Sequence, residues 1–586
     1  MINIREDKKL NTLNHSCAHL LAQAVTNLFE DAKLWVGPVI DEGFYYDIDL
    51  NGYTLTDEDI EKISKEMKKL AKDGKRIYRE ELTREEALEK FKNNPYKVEL
   101  IKEIPDGEVI SCYTQGDFTD LCRGPHVNSL KECKNFKLLK FSGSYYKGDS
   151  NGKVLQRIYG VCFKDKEDLE NHLKELEEAA LRDHRKIGKE LGIFMMSDLV
   201  GKGLPLWLPN GYTLWRIIQN YITEKEVKYG YQHVHTPDLG NVELYKTSGH
   251  FDHYKEDMFP VMELDNEQYV LRPMNCPHHM VIYGNSLHSY RDLPIRIAEI
   301  ANDFRYEAAG AVKGVERARC FTQNDSHIFC TMNQIKTEFK GVLDLIIEVY
   351  NDFGIDITKN KFRLSLRDPD DKKNKYFKDD DMWNTAEDAL REVLDEIGVD
   401  YFEAKGEAAF YGPKLDILIK PAVGNEVAIP TIQLDFLLPR KFNLTYINEK
   451  GEKETPIVIH RAILGSLDRF IAFLLEETKG ALPLWLAPNQ INIIPVNNNL
   501  HLKYANKIYK KLKDDGYRVT LDSRDEKLSY KMRESQIKKI PYTLILGDNE
   551  KDSKTVSYRK YSEKSTVNLS FRDFLRELKL EVKNKK

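Results

Sequence analysis

The segment from residue 166 to residue 190 constrains the fold more than any other feature of this chain. It consists almost entirely of charged residues, Ala and Leu, and it contains no Pro and no Gly before Gly188. Its Leu169, Leu173 and Leu176 recur at helical spacing and therefore share one face. We predict an exposed helix over 166–190, of the kind that links two domains.

The chain has 586 residues, which at about 100–200 residues per domain suggests three or four domains. Residues 1–165 mix helical and strand patterns, with Asn14 as the expected N-cap of the first helix. Residues 191–488 carry aromatic and β-branched runs in an irregular order. That order favours a mixed, mainly antiparallel sheet with helices. Residues 489–586 alternate strand and helix patterns and predict a small α/β domain around a parallel sheet.

The charge distribution and the cysteine content indicate the kind of binding partner and the cellular compartment to expect. Residues 489–586 contain 23 Lys and Arg against 13 Asp and Glu, although the whole chain has a net charge of −5. This basic end predicts a polyanion partner, but a solvated Lys-rich tail would give the same count. No stretch approaches the ~18 consecutive apolar residues of a membrane span, and no apolar signal segment is visible. The 8 cysteines are ordinary usage. We expect a cytoplasmic protein without membrane contact.

The first candidate site combines two histidines with a Cys-Arg-Gly-Pro-His loop. His15 and His19 are spaced to share one helix face, and Cys122 and His126 flank a Gly-Pro turn. Three imidazoles and a thiol could ligate zinc or could bind and deprotonate a water for hydrolysis. Alternatively, the histidines and the loop are unrelated. The Glu of a zincin is missing between the histidines, and the chain has neither a P-loop nor a GxGxxG motif.

A second set of motifs is ordered along the middle region. It consists of Gly230–Pro237, Arg305-Tyr306-Glu307 and Gly465-Ser466-Leu467-Asp468-Arg469. In this order and spacing the three resemble motifs 1, 2 and 3 of class II aminoacyl-tRNA synthetases. The flanking segments extend the resemblance to threonyl-tRNA synthetases over essentially the whole chain. They are MNCP (274–277), FTQNDSHIF (321–329), YGPK (411–414), QLDF (433–436), HRAILG (460–465), HSCAH (15–19), CRGPH (122–126) and LQRIYG (155–160).

The resemblance implies a multidomain fold of α/β and α+β type. It assigns an N-terminal α+β editing domain to 1–165, a linker helix to 166–190 and a class II catalytic domain with an antiparallel sheet to 191–488. An α/β anticodon-binding domain takes 489–586. Family members usually begin with a small ubiquitin-like domain, and we expect it to be absent. They are homodimers through the motif 1 region, so we expect a homodimer.

The resemblance also implies an ATP site that uses Mg²⁺. Activation of an amino acid develops negative charge on the α-phosphate, which arginines can stabilise bidentately. Arg305 is expected at the α-phosphate, Arg469 at the γ-phosphate and Lys414 nearby. Phe321 would stack under the adenine, and Glu307 would bind its amino group. Arg317 and Arg319 belong to the neighbouring motif 2 loop.

A zinc site is implied only by the resemblance, because no short metal-ligand spacing joins its residues. Cys276, His327 and His460 are expected to hold one Zn²⁺ and to leave a position open for threonine. Valine has no hydroxyl to offer such a site, so it would be rejected strongly. Asp325 would accept a hydrogen bond from the threonine hydroxyl. Further substrate contacts are expected from Met274, Gln323, Tyr411 and Gln433.

Serine keeps both the amine and the hydroxyl, and a missing methyl is worth only about 1–3 kcal/mol. A separate hydrolytic site is therefore needed for seryl-tRNA(Thr). The resemblance gives this editing role to His15, His19, Cys122 and His126, with Asp120 and Lys97 assisting; a structural metal at these residues is the alternative. In the basic C-terminal region, Asp525, Arg533, Glu550 and Arg559 are expected to contact the anticodon of tRNA(Thr).

Several positions depart from the family pattern on the ATP side of the pocket. They are Ala428, Pro430, Asp468, Cys320 and His278, together with the motif 2 loop at 308–316. A non-catalytic paralogue that binds tRNA or mRNA therefore stays open as an alternative. So does a second copy of the enzyme that resists a pocket-binding inhibitor. Threonine activation remains the expected function because the zinc ligands are all present.

Overall fold

The computed structural model describes residues 2–149, 152–308, 310–371, 375–421 and 426–585. The chain divides into two compact units, Met1–Glu178 and Ala179–Lys586, which we call the N-terminal unit and the C-terminal unit. The predicted domain limits at 165 and 488 therefore remain predictions. Within the described residues, no helix is long and apolar enough to cross a membrane.

The N-terminal unit packs helices against two antiparallel sheets. Its helices are α1 (Lys8–Leu28), α2 (Asp57–Asp73), α3 (Arg84–Lys90), α4 (Pro95–Glu103) and α5 (Lys166–Arg182), the last of which continues past the unit limit. Its strands are β1 (Lys33–Leu34), β2 (Val39–Ile40), β3 (Gly43–Asp49), β4 (Ile77–Leu82), β5 (Ile110–Gln115), β6 (Phe118–Leu121), β7 (Asn135–Tyr145) and β8 (Val154–Phe163). One sheet has the order β1-β3-β8-β7, with β2 on β3, and the other has the order β4-β5-β6.

Helix α1 begins seven residues before its predicted start. Asp7 caps it, because the Asp7 carboxylate accepts from the backbone N–H groups of Lys9 and Leu10. Asn14, the predicted cap, is fully buried inside the helix instead. Its amide accepts from the Cys162 N–H and donates to the Cys162 carbonyl, both at 2.9 Å. Asn14 therefore fixes α1 against β8, and the prediction of a cap there is wrong.

The predicted helix over 166–190 is two helices. The first, α5, ends at Arg182, and α6 (His184–Leu191) follows after Asp183. The Asp183 carboxylate accepts from the Arg185 N–H at 2.8 Å, so it competes with the intrahelical bonds and starts a new helix. Gly192 then ends α6 in the left-handed conformation.

The C-terminal unit is built on an eight-stranded sheet with the order β11-β15-β16-β23-β20-β19-β17-β18. Only the outermost pairs β11–β15 and β17–β18 are parallel, which confirms the mainly antiparallel prediction. Its strands, with the short ribbons around it, are β9 (Phe194–Met195), β10 (Leu206–Trp207), β11 (Gln232–His233), β12 (Leu239–Asn241), β13 (Met262–Leu264), β14 (Glu267–Leu271), β15 (Ile295–Phe304), β16 (Cys320–Cys330), β17 (Lys361–Leu366), β18 (Tyr401–Lys405), β19 (Lys414–Ile419), β20 (Val427–Asp435), β21 (Tyr446–Ile447), β22 (Lys453–Glu454) and β23 (Ile457–Ser466).

Helices cover this sheet and close its core. Helix α11 buries Leu345, Ile346 and Val349, which recur at helical spacing, in one large apolar cluster with the central strands. The helices are α6, α7 (Pro209–Lys228), α8 (Val242–Ser248), α9 (His250–His253), α10 (Cys276–Gly284), α11 (Ile335–Asp352), α12 (Asp380–Ile397), α13 (Leu438–Lys441) and α14 (Leu467–Thr478).

The last hundred residues form a second, five-stranded sheet with its own apolar core. Its parallel centre, β25-β24-β26, confirms the predicted parallel core. The two antiparallel strands and the short helix at 548–570 were not predicted. The elements are β24 (Ile491–Pro495), α15 (Asn498–Asp514), β25 (Val519–Leu521), α16 (Leu528–Ile537), β26 (Tyr542–Leu546), α17 (Asp548–Ser553), β27 (Thr555–Lys560), β28 (Val567–Ser570) and α18 (Phe571–Lys583).

Candidate functional site

A cavity of about 350 Å³ lies on the eight-stranded sheet of the C-terminal unit. Of the seven predicted ATP-binding residues, six line it: Arg305, Glu307, Arg317, Phe321, Lys414 and Arg469. The guanidinium carbon of Arg305 lies 5.0 Å from the centre of the Phe321 ring. Several cations and the half-buried ring of Phe321 therefore line one cavity, as binding of a nucleoside triphosphate would require.

The seventh residue, Arg319, is not among the lining side chains. Its Nε donates to the Glu307 carbonyl at 2.8 Å, whereas Arg317 Nε donates to the Glu307 carboxylate at the same distance. Two arginines thus hold Glu307 at the cavity. Arg469 Nε donates to the Glu316 carbonyl at 3.1 Å, which joins motif 3 to the motif 2 loop.

The departures from the family pattern lie partly in this cavity. Ala428 and Glu316 line it directly. Asp468 is buried beside it and accepts from the Thr322 N–H at 2.7 Å, and burial raises the pKa of its carboxyl to about 6. Ala309, in the motif 2 loop, lies outside the described residues.

A second cavity, of about 380 Å³, adjoins the first. The two share lining residues, among them Arg305, Gln323 and Gln433, so they form one continuous site. The predicted substrate and metal residues that line the second cavity are Met274, Cys276, Gln323, Asp325, Tyr411, Gln433 and His460. Tyr411 donates to Gln433 Oε1 at 2.6 Å and its ring stacks on His460.

Cys276, His327 and His460 meet at the wall of this second cavity. Their ligand atoms lie within 4.8 Å of one another, and all three residues are buried. His327 and His460 face each other in the register of β16 and β23, while Cys276 opens α10. The three-ligand set fits Zn²⁺ with a position left for substrate.

Two orphaned nitrogen atoms support this fit. His327 Nε2 and His460 Nδ1 are buried and have no hydrogen-bond partner within the described residues. The other nitrogen of each ring is occupied: His327 Nδ1 contacts His279 Nδ1 at 2.7 Å, and His460 Nε2 contacts the Asp435 carboxylate at 2.8 Å. Burial lowers the pKa of His327, so its imidazole is neutral and has a lone pair for a metal.

Sequence reasoning assigned no role to His279, Glu299 or Asp435. His279 contacts Glu299 Oε2 through Nε2 at 3.2 Å, and Asp435 supports His460. Burial would raise the pKa of Glu299, but hydrogen bonds from His279 and Thr236 outweigh it and lower the pKa to about 2. The only available signal was His279 three residues after Cys276, on the same helix face.

The N-terminal unit gathers all four residues of the HxxxH and CRGPH motifs. Cys122 Sγ lies 3.1 Å from His15 Nε2 and 3.2 Å from His126 Nε2, and the ligand atoms of the cluster, His19 included, lie within 4.8 Å of one another. His15 and His19 share one face of α1, and Cys122 and His126 come from the loop after β6. The unrelated-residue alternative is therefore wrong.

A charged network supports this cluster. Lys97 Nζ lies 2.6 Å from Asp120 Oδ1, and His19 Nε2 lies 3.8 Å from Asp120 Oδ2. Two side chains that the sequence did not indicate complete it. Tyr46 donates a short hydrogen bond to Asp120, and Ser16 Oγ lies 3.0 Å from His126 Nδ1.

Burial controls ionisation in this pocket. It lowers the pKa of His15 and His19, lowers that of His126 to about 2, and raises that of the Cys122 thiol to about 12. At neutral pH the pocket therefore presents neutral imidazoles and a protonated thiol. Neutral imidazoles can accept a proton from a water or ligate a metal.

The four predicted anticodon residues lie on different elements of the C-terminal sheet region. Asp525 is in the loop before α16, and Arg533 is exposed on that helix. Glu550, on α17, accepts from the Gly547 N–H at 2.8 Å and from Ser557 at 2.6 Å. Arg559, on β27, donates to Thr566 at 3.3 Å. Of the four, Asp525 and Arg533 are exposed, whereas Glu550 and Arg559 are half-buried.

Three family models match the chain. The threonyl and alanyl tRNA synthetase second additional domain matches residues 110–159, the class II tRNA synthetase core domain (G, H, P, S and T) matches 259–478, and an anticodon binding domain matches 490–581. The chain is 56% identical to the threonine–tRNA ligase of Geobacillus sp. (strain WCH70) over 98% of this chain and 89% of that protein. It is also 56% identical to that of Staphylococcus carnosus (strain TM300) over 99% and 90%.

Solved structures agree. The chain is similar to the RNA binding domain of threonyl-tRNA synthetase from Cryptosporidium parvum Iowa II, with a TM-score of 0.64 and 35% identity over 68% of this chain and 98% of that one. It is also similar to a threonyl-tRNA synthetase from Aeropyrum pernix, with a TM-score of 0.61 and 28% identity over 69% and 97%. The motifs, the sheet and these relatives together show that the chain belongs to the threonine–tRNA ligase family of class II aminoacyl-tRNA synthetases.

Proposed function

We propose that this protein activates threonine with ATP, transfers it to the 3′ end of tRNA(Thr) and hydrolyses mischarged seryl-tRNA(Thr). The observation that carries the synthetic part is the continuity of two cavities, one lined by phosphate-binding cations and the other by three metal-ligand side chains. Family membership supports the same reaction.

In the nucleotide cavity, Arg305 binds the α-phosphate and Arg469 the γ-phosphate, with Lys414 nearby. The adenine stacks on Phe321 and its amino group donates to Glu307. Arg317 keeps Glu307 in place through their 2.8 Å contact. Positive charge fixed around the α-phosphate stabilises the charge that develops during attack by the amino-acid carboxylate. Mg²⁺ accompanies the ATP as its counter-ion.

In the amino-acid cavity, Cys276, His327 and His460 would hold Zn²⁺. When bound, the metal supplies a Lewis-acid site for the amine and hydroxyl of threonine. Asp325 accepts from the hydroxyl, and Gln323 and Tyr411 orient the amine. Met274 and Gln433 complete the wall. Valine cannot satisfy a site built for a hydroxyl, so its activation is disfavoured by roughly 10⁴-fold or more.

In the N-terminal unit, His15, His19, Cys122 and His126 form the editing site. A neutral imidazole takes a proton from a water, whose oxygen bonds to the seryl carbonyl carbon. The ester C–O bond then breaks, the imidazolium returns the proton to the ribose oxygen of the tRNA, and serine is released. Lys97 and Asp120 fix the polar network around this step. A pocket sized for serine excludes the extra methyl group of threonine. If the four residues bound a structural metal instead, their loss would release the metal and destabilise the N-terminal unit.

Binding of tRNA(Thr) uses the basic residues 489–586, with Asp525, Arg533, Glu550 and Arg559 at the anticodon. We further propose a cytoplasmic homodimer joined through the Gly230–Pro237 region. A single monomeric species in sedimentation velocity at micromolar concentration would contradict the dimer.

ATP–pyrophosphate exchange tests the proposed synthetic activity. The parent protein should support exchange with threonine and not with valine, and it should contain one zinc per chain. His327→Ala should lose zinc and exchange together, whereas His501→Phe, which alters a buried histidine on α15, should keep both. Absence of exchange in a parent protein that still binds tRNA would favour the non-catalytic paralogue.

A further inference from the structure

One member of the metal-ligand set, His327, is supported by two buried side chains outside the set, His279 and Glu299. His327 Nδ1 lies 2.7 Å from His279 Nδ1, and His279 Nε2 lies 3.2 Å from Glu299 Oε2. His279 and His327 are 0% exposed and Glu299 is 1% exposed. Buried polar groups of this kind are hydrogen-bonded, so the contacts among the three side chains determine where their protons lie.

We propose that Glu299 and His279 act as positioning residues that set the tautomer of His327 and thereby the zinc affinity of the site. This inference rests on the zinc site of the proposed function. The positioning residues and the metal ligands are directly connected, because the first turn of α10 carries both Cys276 and His279.

The proton positions follow from Glu299. Its carboxylate accepts from the Thr236 N–H at 2.7 Å and from the Thr236 hydroxyl at 2.8 Å, so its orientation is fixed. A carboxylate can only accept, and His279 therefore carries its proton on Nε2. His279 Nδ1 is left as an acceptor, and the short contact then requires a proton on His327 Nδ1. His327 Nε2 consequently keeps its lone pair for the metal.

The opposite pair of tautomers would prevent His327 from ligating zinc. A proton on His279 Nδ1 would leave the Nε2 lone pair 3.2 Å from the Glu299 carboxylate, and its donor would be the Asn275 amide at 3.4 Å, which also lies 3.3 Å from Glu299. His327 would then carry its own proton on Nε2, directed at Cys276 and His460, and could not ligate zinc. His460 needs no such relay, because its Nε2 reaches the Asp435 carboxylate directly at 2.8 Å. Outer partners of this kind typically change metal affinity by about 10–100-fold.

The register of the sheet explains why His327 needs an intermediary. Ile297 lies opposite His327 across β15 and β16, and Glu299 lies opposite Asp325. The Glu299 carboxylate is held at Thr236, and His279 from α10 spans the space between it and His327.

Zinc affinity measured on the full chain by competition with a chelator tests the relay. His279→Phe keeps the ring volume and removes both nitrogens, and we expect zinc affinity to fall about 10–100-fold. His279→Gln keeps an acceptor and a donor and should recover most of the loss. The control is His501→Phe, which removes an equally buried histidine paired with Asp548 at 3.0 Å and should keep the parent affinity.

Glu299→Gln is the second variant and reverses the relay. The Gln carbonyl must face the Thr236 N–H, so the amide NH₂ takes the position of Oε2 and donates to His279 Nε2. His327 is then forced into the wrong tautomer, and we expect zinc affinity to fall at least about 10-fold. Absorption spectra of the Co²⁺-loaded proteins should depart from the parent spectrum in the same order as the losses of zinc affinity. These spectra report the ligand field around the metal and not overall folding.

The outcomes separate the two proposals. A parent chain that binds no zinc would overturn the metal site of the proposed function. A parent that binds zinc, with equal affinity in His279→Phe and Glu299→Gln, would overturn the relay alone. Circular dichroism of the metal-free proteins identifies any variant that does not fold, and the other variant then decides.

Discussion

Ser16 provides the sharpest test of the editing pocket, because one hydroxyl organises one of its imidazoles. The Ser16 hydroxyl donates to the Thr12 carbonyl at 2.8 Å. Its oxygen lies 3.0 Å from His126 Nδ1 and accepts from the Val127 N–H at 3.0 Å. Since its only proton is directed at Thr12, Ser16 must accept from His126. His126 is thereby held with a free Nε2 lone pair beside Cys122.

The Ser16→Ala substitution leaves two donors, the Val127 N–H and His126 Nδ1–H, without their partner. An unsatisfied buried donor costs about 1–3 kcal/mol, and both donors here are only partly buried. We therefore expect a loss of about 2–4 kcal/mol in the stability of the N-terminal unit. Hydrolysis of seryl-tRNA(Thr) should fall by about 10²-fold or more, because general-base catalysis contributes about 10²–10⁴-fold.

Hydrogen exchange of peptides from α1, measured by mass spectrometry, reports the stability of this unit separately from the rest of the chain. Thr12→Ala is the matched control, since its hydroxyl only bonds back to the Lys8 carbonyl in the same helix. This control should change the free energy of unfolding measured by hydrogen exchange by less than about 0.5 kcal/mol. If Ser16→Ala exchanges and hydrolyses seryl-tRNA as the parent does, the reasoning about the His126 tautomer is wrong.

Three further predictions concern the two units. Acidification should destabilise the N-terminal unit: burial depresses the folded-state pKa values of His15, His19 and His126, so below pH ~6.5 the unfolded chain binds protons that the folded one does not. The free energy of unfolding of this unit, measured by hydrogen exchange, should fall by up to about 1.4 kcal/mol per histidine for each pH unit. A free energy that stays constant between pH 7.5 and 5.5 would contradict the conclusion that these histidines are buried as neutral imidazoles. Cys122→Ala should leave threonylation intact and let seryl-tRNA(Thr) accumulate in a charging assay; deacylation at the parent rate would contradict the editing role of Cys122. Arg533→Ala should raise the KM for tRNA(Thr) by about 10-fold and leave pyrophosphate exchange unchanged, and equal loss in both assays would indicate misfolding instead.

Local sequence patterns predicted much of the secondary structure. The first helix and the alternating strands and helices of residues 489–586 were readable, because burial of one face imposes a period on the residues themselves. The termini were less readable. Asp7 and Asn14 are both good N-caps, and only the contact of Asn14 with Cys162 in β8 decides between them.

Site residues divided in the same way. The motifs indicated the four editing residues, because HxxxH places its histidines on one helix face and CRGPH places a Cys and a His around one turn. No spacing could pair His327 with His460, which come together only in the register of β16 and β23. No sequence signal indicated Glu299 or Asp435, and His279 was indicated only by its spacing of three residues from Cys276.

The sequence by itself thus determined which local faces are apolar and which motifs carry chemistry, since both depend on residues a few positions apart. The tertiary structure alone decided which nitrogen of each imidazole is free, because hydrogen bonds from distant strands and helices fix that choice. His126 depends on Ser16 of α1, and His327 depends on His279 of α10. Tautomers are set by partners in space, and the chain order does not record them.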